Sequence, residues 1–114
     1  FMDGKIALVH VPQDEINTYS PLYNPAPLIQ FDMLQVKGVR LTIVLKSYDD
    51  GRVTAALRAN NGYPVCGQLA EAMGGGGHDY AAGFKTTDKT YTKAKEQCLE
   101  IATQLLDTQT GDIA

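Results

Sequence analysis

The chain has 114 residues, 44% hydrophobic and 20% charged, a size and balance that fit one domain and exclude two domains, disorder and coiled-coil or collagen-like repeats. Ten Lys and Arg against 13 Asp and Glu give a net charge of −3, which excludes the broad basic face of a non-specific duplex binder, so any contact with nucleic acid is local. The longest apolar runs, 6–11 and 41–45, are far shorter than the roughly 20 residues of a membrane-spanning helix. Cys66 and Cys98 have no CxxC or Cys/His neighbours, so zinc-ribbon and redox-motif readings lack their spacing and free thiols of a cytoplasmic protein are expected. No basic segment precedes an apolar run at the start of these residues, so no secretory signal is expected. Phe1-Met2 reads as a vector-derived start, which predicts a piece excised from a longer protein.

Lys5 to Val11 is a short apolar run stopped by Pro12 and predicts a buried first strand. Pro21, Pro25 and Pro27 forbid a long regular element before Pro27, which suits the start of a short helix over Leu28 to Val36 closed by Gly38. Val39, Leu41, Ile43 and Leu45 alternate with Arg40, Thr42, Val44 and Lys46, predicting a strand with one strongly buried face. Asp50-Gly51 then signals a hairpin whose two turn positions both take positive φ. The third strand is Arg52 to Ala59, with Val53, Ala55 and Leu57 on one face and Thr54, Ala56 and Arg58 on the other.

After a turn at Asn60 to Tyr63, Pro64 suits the first residue of a helix with Val65, Cys66, Leu69, Ala70 and Met73 at helical spacing, ending at Gly74. Tyr80 to Thr86 predicts one more strand. Thr92 is placed to cap a last helix that carries Ala94, Cys98, Ile101, Ala102 and Leu105 on one stripe. The expected fold is α/β: a small single domain, 1–114, with a mixed sheet flanked by helices.

Gly74-Gly75-Gly76-Gly77-His78, followed by Ala81-Ala82-Gly83-Phe84, is the most specific stretch. Consecutive glycines cost unfolded-state entropy, so something there needs positive φ or close backbone approach. The usual beneficiary is an anion, held by successive N–H groups with a histidine beside them. A P-loop is excluded because Phe84 separates Gly83 from Lys85, and a dinucleotide fingerprint is excluded because the run follows a helix and leads into a strand. Arg58, at the end of the third strand, is a second candidate, since a guanidinium clamps phosphate bidentately. His10 reads as a packed or edge histidine rather than a ligand, Asp79 as a loop carboxylate or an orienter of His78, and Tyr80 as core or a stacking ring.

On Gly75 to His78 and Ala81 to Phe84, the GGGH…AAGF wording, the chain resembles the DHH-associated C-terminal domain of the DHH phosphoesterases, which include RecJ-like exonucleases and nano-RNase/phosphoadenosine-phosphate phosphatases. Gly38-Val39 matches the family's Gly-Val before a strand. Ala56-Leu57-Arg58 keeps the Arg of its Ser-x-Arg and loses the Ser, and with it one hydrogen bond. The resemblance implies that Arg58, Gly75, Gly76, Gly77, His78, Ala82 and Gly83 bind substrate. It makes His78 the residue that also donates to the phosphate in the transition state, once a partner domain is present.

The resemblance further implies an N-terminal catalytic DHH domain in the same chain and Mn2+ in that domain. The ligand would be a short single-stranded nucleic acid or nucleotide phosphate. No Asp-His-His motif occurs here, so no metal or cofactor site is expected in these residues and the domain alone is expected to be inactive. Two readings stand beside it. One is a non-catalytic nucleic-acid module like the C-terminal domain of alanyl-tRNA synthetases; the other is a regulatory domain that binds cyclic dinucleotides.

Overall fold

The computed structural model describes residues 4–13, 30 and 33–113, with side chains up to Asp107. The period-two runs form β1 (Ile6–Val11), β2 (Leu41–Ser47), β3 (Val53–Ala59) and β5 (Ala81–Thr86); the runs at helical spacing form α1 (Cys66–Ala72) and α2 (Tyr91–Ile113). Gly76–Gly77 adds β4, where the sequence predicts a loop. Among the described residues the strands make one sheet in the order β1-β2-β3-β5-β4. β1 runs parallel to β2 and the other neighbouring pairs are antiparallel, which is the expected mixed sheet of an α/β domain.

One face of the sheet carries the core. Leu41, Ile43 and Leu45 of β2, Val53, Ala55 and Leu57 of β3 and Phe84 of β5 pack against α1 and α2. α1 supplies Cys66, Leu69 and Ala70, and α2 supplies Ala94, Cys98, Ala102 and Leu106. On α2 the stripe shifts by one position from the sequence reading: Leu106 is fully buried while Ile101 and Leu105 are half-buried, because four-residue steps from Ala94 keep to one side of the helix.

β2 is buried on both faces, with Thr42 at 0% and Val44 at 1% exposure, where one strongly buried face is predicted. Its second face is covered from a distant part of the chain. Val11 and Val44 pack there with Met33 and Ala56, and the buried Gln30 donates from Nε2 to the Ala56 carbonyl at 2.8 Å. Gln30, Met33 and Leu34 are helical; the rest of the helix predicted from Leu28 lies outside the described residues, apart from the turn through Val36.

Three boundaries differ from the sequence reading, each for a local reason. The hairpin loop is Asp49-Asp50-Gly51, enclosed by a Tyr48 N–H bond to the Arg52 carbonyl (2.9 Å), and the positive φ (+94°) is on Gly51. This is the three-residue connection with a left-handed last residue rather than a two-residue turn. The Asp50 carboxylate accepts from the Arg52 backbone N–H (3.0 Å) and from its Nε (2.9 Å), and these bonds hold its carboxyl below the usual range, the backbone bond most. α1 begins at Cys66 with Val65 as N-cap, not at Pro64, because the Cys66 N–H donates to the Asp79 carbonyl at 2.9 Å. α2 is capped by Thr90 instead of Thr92: the Thr90 Oγ1 accepts from the Lys93 N–H at 3.2 Å and its carbonyl from the Ala94 N–H at 2.9 Å.

Both cysteines are free and buried, and burial pushes each thiol up to about 12 from 9.0. The folded state therefore favours the neutral thiol, while the unfolded chain ionises near the ordinary value. Stability is expected to be insensitive to these groups below pH 9 and to fall as pH rises above it. Native chain at pH 8 is expected to react with iodoacetamide orders of magnitude more slowly than unfolded chain, read by mass spectrometry. Fast native labelling would put a thiol at the surface.

Candidate functional site

Residues directly opposite on neighbouring strands share a face of the sheet. Arg58 stands opposite Thr42 on β2 and Ala81 on β5. His78, the residue after β4, continues the ladder by donating its N–H to the Ala81 carbonyl at 2.8 Å. One row thus crosses the sheet as Thr42, Arg58, Ala81, His78, and the next as Val44, Ala56, Gly83, Gly76. Leu57, beside Arg58, points into the helix-covered core, so both rows lie on the face away from α1 and α2.

Arg58 and His78 are exposed and stand two strand spacings apart, about 9–10 Å between backbones. Between and beside them Ala81, Gly83 and Gly76 make a floor with nothing larger than a methyl group, bordered on the β2 side by Gln30 and Met33 where they meet Ala56. The arrangement is two outward hydrogen-bond donors, one of them permanently cationic, over a flat shelf that a planar or anionic group can approach closely.

The glycines divide by what requires them. A Cβ on Gly75 would strike the Gly83 carbonyl and come within 2.7 Å of Phe84 Cα. On Gly77 (φ +146°) it would lie 2.6 Å from Ala82 Cα, and on Gly83 it would lie 2.8 Å from the Ala55 carbonyl. Gly75, Gly77 and Gly83 are therefore glycine because β4, β5 and β3 approach so closely. Gly76 differs: nothing lies within 4 Å of its would-be Cβ and its φ is not left-handed. It is bare on the same face as Arg58 and His78, with no reason inside the domain.

Not every residue singled out in the sequence joins this face. Ala82 and Gly77 lie in the row of Leu57, towards the helices, and Ala82 packs against the core. The N–H groups of Gly74 and Gly75 donate to the Glu71 and Ala70 carbonyls at 3.0 and 2.7 Å, closing α1. Tyr80 is 40% exposed, and its carbonyl accepts from the Ala59 N–H at 3.1 Å. His10, read as a packed or edge histidine, is exposed on the edge strand β1, stacked on Tyr91 with ring centroids 3.8 Å apart and paired through Nε2 with Ser47 Oγ at 2.7 Å. The sequence reading missed that Gly76-Gly77 forms a strand. Its available signal was the two-residue Asp79-Tyr80 link, short enough to make His78 and Ala81 a hairpin pair.

Residues 29–108 match the family model described as the DHHA1 domain. The chain belongs to the DHHA1 domain family. This is the DHH-associated domain, so the resemblance to that family holds. Three solved structures share the fold. An exopolyphosphatase-related protein from Bacteroides fragilis superposes with TM-score 0.79 at 21% identity, over 96% of this chain and 32% of that one. The pGpG-specific phosphodiesterase PggH from Vibrio cholerae gives 0.62 at 16%, over 91% and 34%. An uncharacterized protein from Helicobacter pylori gives 0.50 at 26%, over 86% and 25%. The DHHA1 chain thus spans about a third or less of the length of these proteins. No curated protein sequence matches it.

Manganese does not fit the shelf of this DHHA1 domain. Its outward groups are a guanidinium and an imidazole, and among the described residues no three His, Cys, Asp or Glu side chains converge to hold a metal. Nor, among them, is any helix long and apolar enough to cross a membrane.

Alanine substitutions separate the structural glycines from the bare one. Gly75→Ala and Gly77→Ala are each expected to cost about 1–3 kcal/mol by overpacking, read from the denaturant midpoint. Gly76→Ala is expected to stay within about 0.5 kcal/mol of the parent; a comparable loss there would show that the shelf is already filled from within the domain.

Proposed function

We propose that this domain is the substrate-binding part of a manganese-dependent DHH phosphoesterase and holds the phosphorylated end of a nucleotide or short single-stranded oligonucleotide. The observation that carries the reading is the single row that puts Arg58 and His78 on the sheet face away from α1 and α2 with Ala81 between them. The Arg58 guanidinium pairs with two phosphate oxygens at once, a geometry an ammonium does not offer. His78 donates to a further oxygen, which gains charge as the ester bond is attacked, so its bond strengthens on the way to the transition state.

Gly76 leaves the shelf open to the ligand. Gly75, Gly77 and Gly83 hold β4 close enough to bring His78 within reach, and Ala82 supports that strand from the core side. The Mn2+ centre, supplied by an N-terminal DHH domain of the same chain, would activate water. The share of this domain is to orient the phosphate and exclude unproductive poses, so the 114 residues alone are inactive. The name of the Vibrio relative, a pGpG-specific phosphodiesterase, supports a short nucleotide substrate. Two buried, unpaired thiols suit a reducing compartment such as the cytoplasm.

Titration of the chain with a 5′-phosphorylated dinucleotide, followed by NMR, tests this. Arg58→Ala is expected to weaken binding tenfold or more, roughly the worth of a charged hydrogen bond, and His78→Ala roughly three- to tenfold, both with native amide dispersion. Wild-type affinity in either variant would remove that residue from the site. Preference for transfer RNA over the dinucleotide would favour the synthetase-like module.

A further inference from the structure

The ladder that positions Arg58 also places a second cationic feature beside it. A cleft of about 400 Å³ opens at the same end of the sheet, lined by Lys5, Gly38, Val39, Arg40, Asn60 and Tyr63. Asn60 is two residues beyond Arg58, and its N–H donates to the Arg40 carbonyl at 3.0 Å. This bond extends the β2–β3 register by one pair, so Arg40 lies diagonally across from Arg58, about 7–8 Å away along the sheet. The cleft is therefore the next stop for a chain-like ligand that starts at Arg58.

Its walls are fixed by the backbone. The Lys5 carbonyl accepts from the N–H groups of Arg40 (2.7 Å) and Leu41 (3.1 Å), which sets the two cationic residues side by side. Asn60 Nδ2 donates to the Val39 and Leu34 carbonyls at 2.8 and 3.2 Å, tying the floor to the covering segment. The Arg40 guanidinium lies 4.8 Å from the centroid of the Tyr63 ring, a stacked cation and aromatic of the kind on which unpaired bases also stack.

The charge distribution agrees. No carboxylate lines the cleft, and Asp49, Asp50 and Asp88 sit in the turns at the opposite end of the sheet.

The geometry points to a second subsite for the same ligand: the Lys5–Arg40 cleft takes the next phosphodiester of a single-stranded oligonucleotide whose terminal phosphate lies at Arg58. This inference rests on the function proposed above and adds to it the place on this domain where the second phosphodiester of such a ligand would sit.

The test compares a 5′-mononucleotide with a 5′-phosphorylated single-stranded tetranucleotide, each titrated into the 114-residue chain over a range of salt. The tetranucleotide is expected to bind at least tenfold more tightly. Lys5→Gln and Arg40→Gln are each expected to cut that advantage about threefold or more and to reduce its salt slope by about 0.7, with mononucleotide affinity within twofold of the parent. If Arg40→Gln disturbs the amide spectrum, Lys5→Gln decides alone. Equal affinity for the two probes, or variants that keep the full advantage while Arg58→Ala loses binding to both, would overturn the second subsite and leave the first standing. Failure of the wild-type chain to bind either probe would overturn both.

Discussion

The alternation of β3 is the constraint on which the site depends. Val53, Ala55 and Leu57 are buried against the helices, and the period of two then sends Thr54, Ala56 and Arg58 to the other face. A slip by one residue would bury the guanidinium and expose three core side chains, so the hydrophobic core itself enforces the direction of Arg58. Because β3 is hydrogen-bonded on both sides, to β2 and β5, the same register carries the row onward to Ala81 and, through one further bond, to His78.

What the sequence made legible follows from this. Strands with large alternating side chains, and helices with a four-residue stripe, announce themselves because burial selects those residues. β4 was not legible because two glycines bear no pattern; it is a strand only because β5 lies within reach of its bare backbone. The second buried face of β2 was hidden for a different reason. Arg40, Thr42 and Lys46 look like a solvent face, and the cover over Thr42 and Val44 comes from a segment with no local signature in β2. At α2, two threonines bracket the start, and only the turn geometry after β5 decides that Thr90 caps the helix.

The site was legible as residue types and not as an arrangement. Arg58 and the glycine-His run stood out by their chemistry, yet nothing in either stretch says that they share a face. That is a property of two ladder registers, summed across β5. The same sum separates residues adjacent in sequence, since Gly76 and His78 are on the Arg58 face while Gly77 faces Ala82 and the helices. The glycine run, read first as a nest for an anion, is used mainly for close strand packing, and only Gly76 is left without an internal reason.

The two donors of the shelf are anchored very unequally. Arg58 is on a central strand, with neighbours on both sides and a core beneath. His78 follows a two-residue margin that contributes no side chain to the core and is held by a short ladder, the Gly75 bond to Ala70 and its own bond to Ala81. Local opening of a domain starts at such margins, at far smaller free energy than global unfolding. In the function proposed above, opening of this margin would release the histidine side of a ligand held by both donors while the guanidinium stays fixed.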